Sequence, residues 1–153
     1  MIASPVTILL LSGCGLYGAW SDIRHRRLSN WLAAVTASCG LGLTLLSGGI
    51  AACGSSLLHV ATALLIGLPL FALKLVGGGD VKFYAAMAAW FPFGQGFRLL
   101  AFVSIAGMIV TLSWLTLRWL GAGPEHPSGV QGFDNVPFGV AIAGGTVMAL
   151  AWP

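Results

Sequence analysis

Charge is what this sequence has least of. The 153 residues include four acidic and seven basic side chains, so 7% of the chain is charged whereas 58% is hydrophobic. A soluble domain usually carries about 25% charged residues, and this chain has too few to cover a water-facing surface. The composition therefore excludes an ordinary soluble domain and predicts an integral membrane protein whose main partner is the lipid bilayer.

Paired cysteines and a strongly basic surface are also missing. Cys14, Cys39 and Cys53 lie far apart and form no CxxC pair, so we expect neither a disulfide framework nor a zinc site. A net charge of +3 does not indicate a nucleic-acid partner. The first apolar run lacks the positive n-region of a signal peptide, and we expect it to be retained as a membrane span.

Six apolar segments divide the chain. Each is predicted to be a transmembrane helix, because roughly 20 residues cross the hydrocarbon core. We find no internal repeat, and we expect one all-α membrane domain over 1–153, with a kink at Pro69. The predicted spans cover about residues 2–20, 30–46, 55–76, 80–93, 97–120 and 136–152.

The basic residues predict the orientation. Lys and Arg are enriched in cytoplasmic connections, and with both termini on the non-cytoplasmic side only Arg98 falls outside. The reverse orientation would invert this bias. With both termini on the non-cytoplasmic side, the basic residues that face the cytoplasm are Arg24, Arg26, Arg27, Lys74, Lys82 and Arg118.

Two acidic residues lie at the predicted cytoplasmic ends of segments. Asp22 falls in the polar connection at 21–30, and Asp80 begins the fourth span after Gly77, Gly78 and Gly79. A carboxylate near hydrocarbon is costly and usually functional. Two carboxylates at one depth can share a proton, so that one activates water while the other polarises a carbonyl. Three successive glycines would free the backbone for unusual angles and let a substrate strand approach.

Purely structural roles remain open for both residues. Asp80 could be the N-cap of the fourth helix, and Asp22 could pair with Arg24 or Arg26. His25 is close to Asp22 in sequence, but a loop role is favoured for it. His59 is separated from Asp80 by about 30 Å of helix.

Residues 121–135 form the longest predicted loop. Glu125 and His126 are interpreted as solvated there. Asp134 is the main rival for a third functional carboxylate, because it lies just before the last span.

Three motifs resemble the signatures of type IV prepilin peptidases. Asp22-x-Arg24-x-x-x-Leu28-Ser29-Asn30 resembles their Asp-x-Arg and Ile-Pro-Asn motif, and Gly77 to Lys82 is similar to GxGD-x-K. Val136-Pro137-Phe138-Gly139 resembles a third element, usually Val/Ile-Pro-Tyr-Gly. Leu28-Ser29 stands where the family has Ile-Pro, and Phe138 stands where it has tyrosine. We expect Asn30 still to cap the second helix.

The resemblance implies an intramembrane aspartyl protease of the bacterial inner membrane, which removes the short basic leader from pilin precursors at the cytoplasmic face. Asp22 and Asp80 would be catalytic, with no cofactor and no metal. Larger members of the family carry a methyltransferase region with CxxC motifs, for which this sequence has neither the length nor the cysteines. In this respect it resembles the short form associated with Flp-type pili and tight adherence. The predicted supporting residues are Gly77, Gly78, Gly79, Lys82, Arg24, Asn30, Pro137 and Gly139.

Two other function classes remain open. In a small transporter or a pilus-assembly subunit, the glycine-interrupted segment would line a pathway or an interface. A transporter would be expected to carry its acidic residues near mid-bilayer, whereas both aspartates lie at one interface. In a metal-dependent enzyme, Asp22 and Asp80 would be ligands, although two carboxylates are few for a hard cation.

Overall fold

A computed structural model of the chain describes residues 4–25, 28–120 and 136–152. These residues form helices and contain no β-strand, which confirms the all-α prediction for the described part of the chain. The predicted loop at 121–135 lies outside it. The elements in chain order are α1 (Pro5–His25), α2 (Asn30–Ala72), α3 (Gly78–Ala88), a 3-10 helix (Phe93–Gln95), α4 (Gly96–Trp119) and α5 (Phe138–Ala151).

Three of the described helical stretches are long and apolar enough to cross a membrane, namely α1, α2 and Phe93–Trp119. Their outer faces carry large apolar side chains such as Leu16 and Leu46, which are 71% and 85% exposed. Such surfaces suit lipid and not water. The chain is therefore a membrane protein.

The fourth predicted span is shorter than expected. α3 begins two residues before Asp80 and ends at Ala88, so at 1.5 Å per residue it is about 16 Å long. A hydrocarbon core is about 30 Å thick. The helical part of this segment is therefore about half as long as the core is thick, because Phe91-Pro92 follows it closely and ends the apolar run.

One helix with a single break replaces the second and third predicted spans. The connection predicted around 47–54 is helical except at Gly49, whose φ of 71° and ψ of −169° lie outside the helical region. A straight helix of 43 residues would be about 65 Å long, twice the thickness of the hydrocarbon core. The break is therefore the point at which the chain can change direction.

The two halves of α2 run in opposite directions along α3. The start of α3 contacts both the first residue of α2 and a residue near its end, whereas the two residues Trp90 and Phe91, just after α3, contact positions on either side of Gly49. The halves thus form a helical hairpin around α3. The contacts in order along α3 and the residues that follow it are Val81 with Gly67, Lys82 with Asn30, Trp90 with Gly40, and Phe91 with His59.

α2 ends at Ala72, earlier than the predicted boundary at 76. The Lys74 N–H donates to Phe71 O and the Leu75 N–H donates to Leu70 O, which is the Schellman pattern of a helix C-terminus. Lys74 takes the left-handed φ of 59° that this turn requires. The turn leads the chain directly into Gly77 and α3.

α3 and α5 form the centre of the bundle. Residues 85–91 are all buried, and α5 packs against α1 on one side and α4 on the other. Gly145 permits this packing, because an added Cβ would lie 2.5 Å from the Val103 backbone. The Arg98 guanidinium donates to Trp152 O at 3.2 Å and ties the start of α4 to the end of α5.

Candidate active site

Asp22 lies within α1 and not in a connection. The helix continues to His25, because no glycine or proline interrupts the stretch after Trp20 and hydropathy marks only the apolar part of a helix. Asp22 is 9% exposed. It belongs to a single helical face with spacings of four, three and four residues. The buried residues of that face are Leu11, Gly15, Gly18 and Asp22.

The N-terminus of α5 holds the Asp22 carboxylate. The Gly139 N–H donates to Asp22 Oδ2 at 2.7 Å. Gly139 is the second residue of α5 after the N-cap Pro137, so its N–H is one of those that a helix leaves without an internal partner. The positive end of the helix dipole also favours an anion here. Asp22 thereby joins α1 to α5.

α1 and α3 run antiparallel, and this brings their aspartates together. Gly15 lies against Met87, and Gly18 lies against the Phe83 ring. Phe83 is about one turn after Asp80, and Gly18 is about one turn before Asp22. Following the two helices to the next turn therefore sets Asp80 opposite Asp22.

Asp80 is in the first turn of α3 but does not cap it. The N-cap is Gly77, so the alternative in which Asp80 is the N-cap is wrong. The Asp80 carboxylate folds back over Gly77, where an added Cβ would lie 2.7 Å from Oδ2. The carboxylate can occupy this position because Gly77 has no side chain.

The glycine triplet provides space, and its backbone angles are ordinary. Gly77 has φ −67° and ψ 137°, and Gly78 and Gly79 are already helical, so the expectation of unusual angles is wrong. The triplet starts α3. An added Cβ would lie 3.0 Å from the Phe71 ring at Gly78 and 3.4 Å from Leu28 Cβ at Gly79. The glycines let the start of α3 approach both ends of α2 closely.

Electrostatic coupling links the two carboxyl groups. Burial, and to a smaller extent the charge of Asp22, together raise the pKa of Asp80 from 3.8 to about 6. Burial and the neighbouring charge both disfavour the ionised form of the Asp80 carboxyl group. Asp80 therefore keeps its proton to a higher pH than an ordinary carboxylic acid.

Ser29, and not Asn30, caps the second helix. Ser29 is the N-cap of α2, and its hydroxyl accepts from the Leu32 N–H at 3.2 Å, so the prediction that Asn30 caps the helix is wrong. Serine is a preferred N-cap, whereas Asn30 is already inside the helix. Its Oδ1 accepts from Lys82 Nζ at 2.9 Å. This bond joins the start of α2 to α3 beside the aspartates.

The remaining predicted residues lie around or away from this pair. Arg24 is exposed in the last turn of α1, and the His25 ring packs edge-on against Trp20. Pro137 precedes Gly139 at the start of α5. Glu125, His126 and Asp134 lie outside the described residues, as do Arg26 and Arg27.

An apolar groove of about 760 Å³ begins at Asp80. One wall is the second half of α2 and the other is α4, with α3 and α5 as the floor. Asp80 and Phe138 lie at one end and His59 lies near the other. His59 Nδ1 is 3.1 Å from Phe91 O.

The sequence profile of the type IV leader peptidase family matches residues 9–112, more than half of the chain, including both Asp22 and Asp80. The chain belongs to the type IV leader peptidase family. Membership implies a peptidase in a membrane environment. Comparison with curated proteins and with solved structures gives no match.

Sequence reasoning did not find the contacts that assemble the site of this leader peptidase family member. The interior face of α1 could have been found from its small residues, since Gly15 and Gly18 precede Asp22 at helical spacing, and small residues mark close helix contacts in membranes. The groove could not have been found. Its walls come from two helices that face each other only in the folded bundle.

Proposed function

We propose that the chain is an intramembrane aspartyl endopeptidase that removes the short basic leader from type IV pilin precursors, with Asp22 and Asp80 as the catalytic pair. The observation that supports this most is the antiparallel pairing of α1 and α3, through Gly18 and Phe83. It sets two carboxyl groups of different environment opposite each other. Pairs of titratable groups with different environments are typical of acid and base assignments.

The chemistry follows from the protonation of the pair. Asp22 Oδ2 accepts a hydrogen bond from the Gly139 N–H, so a shared proton is held elsewhere in the pair. Asp80, which retains a proton to higher pH, donates it to the carbonyl oxygen of the scissile bond. Asp22 takes a proton from water as the water oxygen attacks the carbonyl carbon. The product of this step is a tetrahedral diol.

The second step breaks the peptide bond and restores the site. Asp22 passes its proton to the amide nitrogen, the C–N bond breaks, and the diol becomes a carboxylic acid as Asp80 recovers a proton from its hydroxyl. Water is consumed once and no covalent intermediate forms. General acid and base groups of this kind contribute about 10²–10⁴-fold each.

We further propose that the site faces the cytoplasm in a six-pass arrangement with both termini on the other side. Exposed polar side chains gather at this end of the bundle, namely Arg24, Asn30 and Lys82. The positive charges of Arg24 and Lys82 fit the cytoplasmic preference of Lys and Arg. The hairpin in α2 supports two passes for that helix. Precursors of Flp-type pili are the substrates proposed from the resemblance of the motifs.

The glycines and Pro137 are proposed to support the pair. Gly77 leaves room for the Asp80 carboxylate and Gly139 leaves room for that of Asp22. Gly78 and Gly79 let α3 approach α2. Lys82, through Asn30, holds the start of α2 beside α3.

The test is cleavage of a membrane-inserted pilin precursor in proteoliposomes, with the leader followed by mass. We expect the purified wild-type chain to release the leader and both Asp22→Asn and Asp80→Asn to lose cleavage, because each removes one acid or base. A chelator in the assay tests the metal alternative, and we expect cleavage to persist in it. Normal processing by both variants would falsify the catalytic assignment.

A further inference from the structure

We propose that the groove between α2 and α4 binds the apolar helix that follows the scissile bond of the substrate. This inference rests on the proposed function and adds to it a surface and a register. The substrate would be recognised as a membrane-embedded helix seated against two helical faces, with its cleaved bond at Asp80. Ser104 of α4 would lie against the first turns of that helix.

The two walls of the groove are single helical faces. Lining positions on α2 recur from 59 to 70, and those on α4 recur from 96 to 112, each at spacings of three or four residues. The shorter wall is about 16 Å long, which corresponds to about three turns of a bound helix. An α-helix with its side chains is about 10–12 Å across, so three turns fill more than the 760 Å³ of the groove. A bound helix would seat one face in the groove and leave the other to lipid.

The chemistry of the groove favours a peptide over a lipid tail. Its lining is almost entirely apolar along its length, yet Asp80 lies in its floor at one end. An acyl chain offers a carboxyl group no polar partner. A polypeptide whose helix fills the groove brings a peptide bond to Asp80. Because the groove is continuous with the aspartate pair, we assign it to a polypeptide and not to a lipid tail.

The packing of α4 on α5 sets the register. Gly107 of α4 lies against Phe138, which adjoins Gly139 and so marks the level of Asp22. Ser104 is about one turn from that level, in the direction of His59. A substrate residue within about the first two turns after the cut, or roughly seven residues, would lie beside Ser104.

Filling the groove tests the proposal. Ser104 is exposed and lines the groove, whereas Ser113 is exposed on the same helix outside it. We expect Ser104→Trp to lower kcat/KM for a full precursor by about tenfold or more, a change of about 1.4 kcal/mol, and Ser113→Trp to leave it unchanged. Both variants should cleave a short peptide without the apolar helix at the wild-type rate. Equal effects of both variants, or loss on both substrates, would overturn the inference.

Photocrosslinking gives a readout that needs no cleavage. A benzoylphenylalanine in place of Ser104, in the Asp80→Asn background, should capture the precursor in the first two turns after the cut, and the same group in place of Ser113 should not. Capture of lipid alone, of a second copy of the chain, or from both positions equally would overturn the groove assignment. If the wild-type chain releases no leader from the precursor, the proposed function fails instead.

Discussion

The hydrogen bond from Gly139 to Asp22 depends on a missing side chain. An added Cβ at Gly139 would lie 2.8 Å from Asp22 Cβ and 2.9 Å from its Oδ2. We expect Gly139→Ala to displace the carboxylate and reduce the cleavage rate by about 10²-fold, because misplacement of about 1 Å can have that effect. The destabilisation from overpacking should be about 1–3 kcal/mol.

Gly144 provides the matched control for this measurement. It lies on the same helix, and an added Cβ there meets nothing within 4 Å. Gly144→Ala should keep full activity in the same leader-release assay and should not lower the thermal unfolding temperature. Equal rates for the two alanine variants would contradict the role given to Gly139.

The raised pKa of Asp80 predicts a pH dependence of stability. The folded-state pKa of about 6 lies above the ordinary value of 3.8, so the native state binds more protons than the unfolded state between these values. Stability from this group is complete below about pH 4 and is lost as the pH rises through about 6. Allowing for partial exposure, the loss is about 2 kcal/mol.

Asp80→Asn isolates this contribution, because the amide is neutral at every pH. Thermal unfolding in detergent should give similar stabilities for wild type and variant at pH 4. At pH 8 the variant should be the more stable protein. Identical pH dependences for the two proteins would remove the basis for a proton on Asp80.

Residue identities in the site could be proposed from sequence, but their contacts could not. Asp22 and Asp80 stood out because carboxylates are rare in this chain. The capping roles were assigned wrongly, since Ser29 and Asn30 are adjacent and either side chain can cap a helix. Ser29 caps the helix, whereas Asn30 accepts a hydrogen bond from Lys82, which is 52 residues away in sequence.

At the scale of elements, the break in α2 rests on Gly49. Its φ of 71° and ψ of −169° lie in a region that is accessible almost only to glycine. We expect Gly49→Ala to destabilise the protein by about 1–3 kcal/mol, because the hairpin must strain or straighten. Chemical unfolding in mixed micelles measures this change.

Gly42 is the control for the break, because it lies in the same helix with nothing within 4 Å of an added Cβ. Gly42→Ala should be neutral or stabilising by about 0.5–1 kcal/mol. If Gly49→Ala and Gly42→Ala changed the free energy of unfolding equally, the backbone conformation at position 49 would not require glycine.

The apolar segments were predictable and the helix ends were not. Hydropathy finds stretches that lipid accepts, but α1 runs past Trp20 through polar residues to His25. This extension is what carries Asp22 into the bundle. The connection at 47–54 was predicted from its glycines and serines, yet most of them are helical because tertiary packing overrides weak helix propensity.

At the scale of the whole molecule, the orientation remains a prediction that labelling can test. All three cysteines, Cys14, Cys39 and Cys53, are free thiols within the described residues, and their replacement allows single cysteines to be introduced. Ser47→Cys should react with an impermeant maleimide from outside intact spheroplasts, because it adjoins the α2 break. His25→Cys should react only after permeabilisation. The reverse pattern, or labelling of both from one side, would contradict the six-pass arrangement.

The sequence predicts a helical membrane bundle, but it does not predict which helices contact each other. Composition alone excluded a soluble domain, and the described residues are helical with apolar outer faces. Which helices touch depends on small side chains such as Gly18 and Gly145, whose partners lie far away in sequence. Those contacts bring the aspartates together and leave the groove open.

The central claim is that Asp22 and Asp80 act as one site, and the most direct measurement is the cleavage rate of the two single asparagine variants and the double variant on one pilin precursor. Groups that act as a unit show strongly non-additive losses. We predict that each single variant loses about 10³-fold or more and that the double variant is no slower than the slower single one. Additive losses, or a single variant that retains the wild-type rate, would contradict the account.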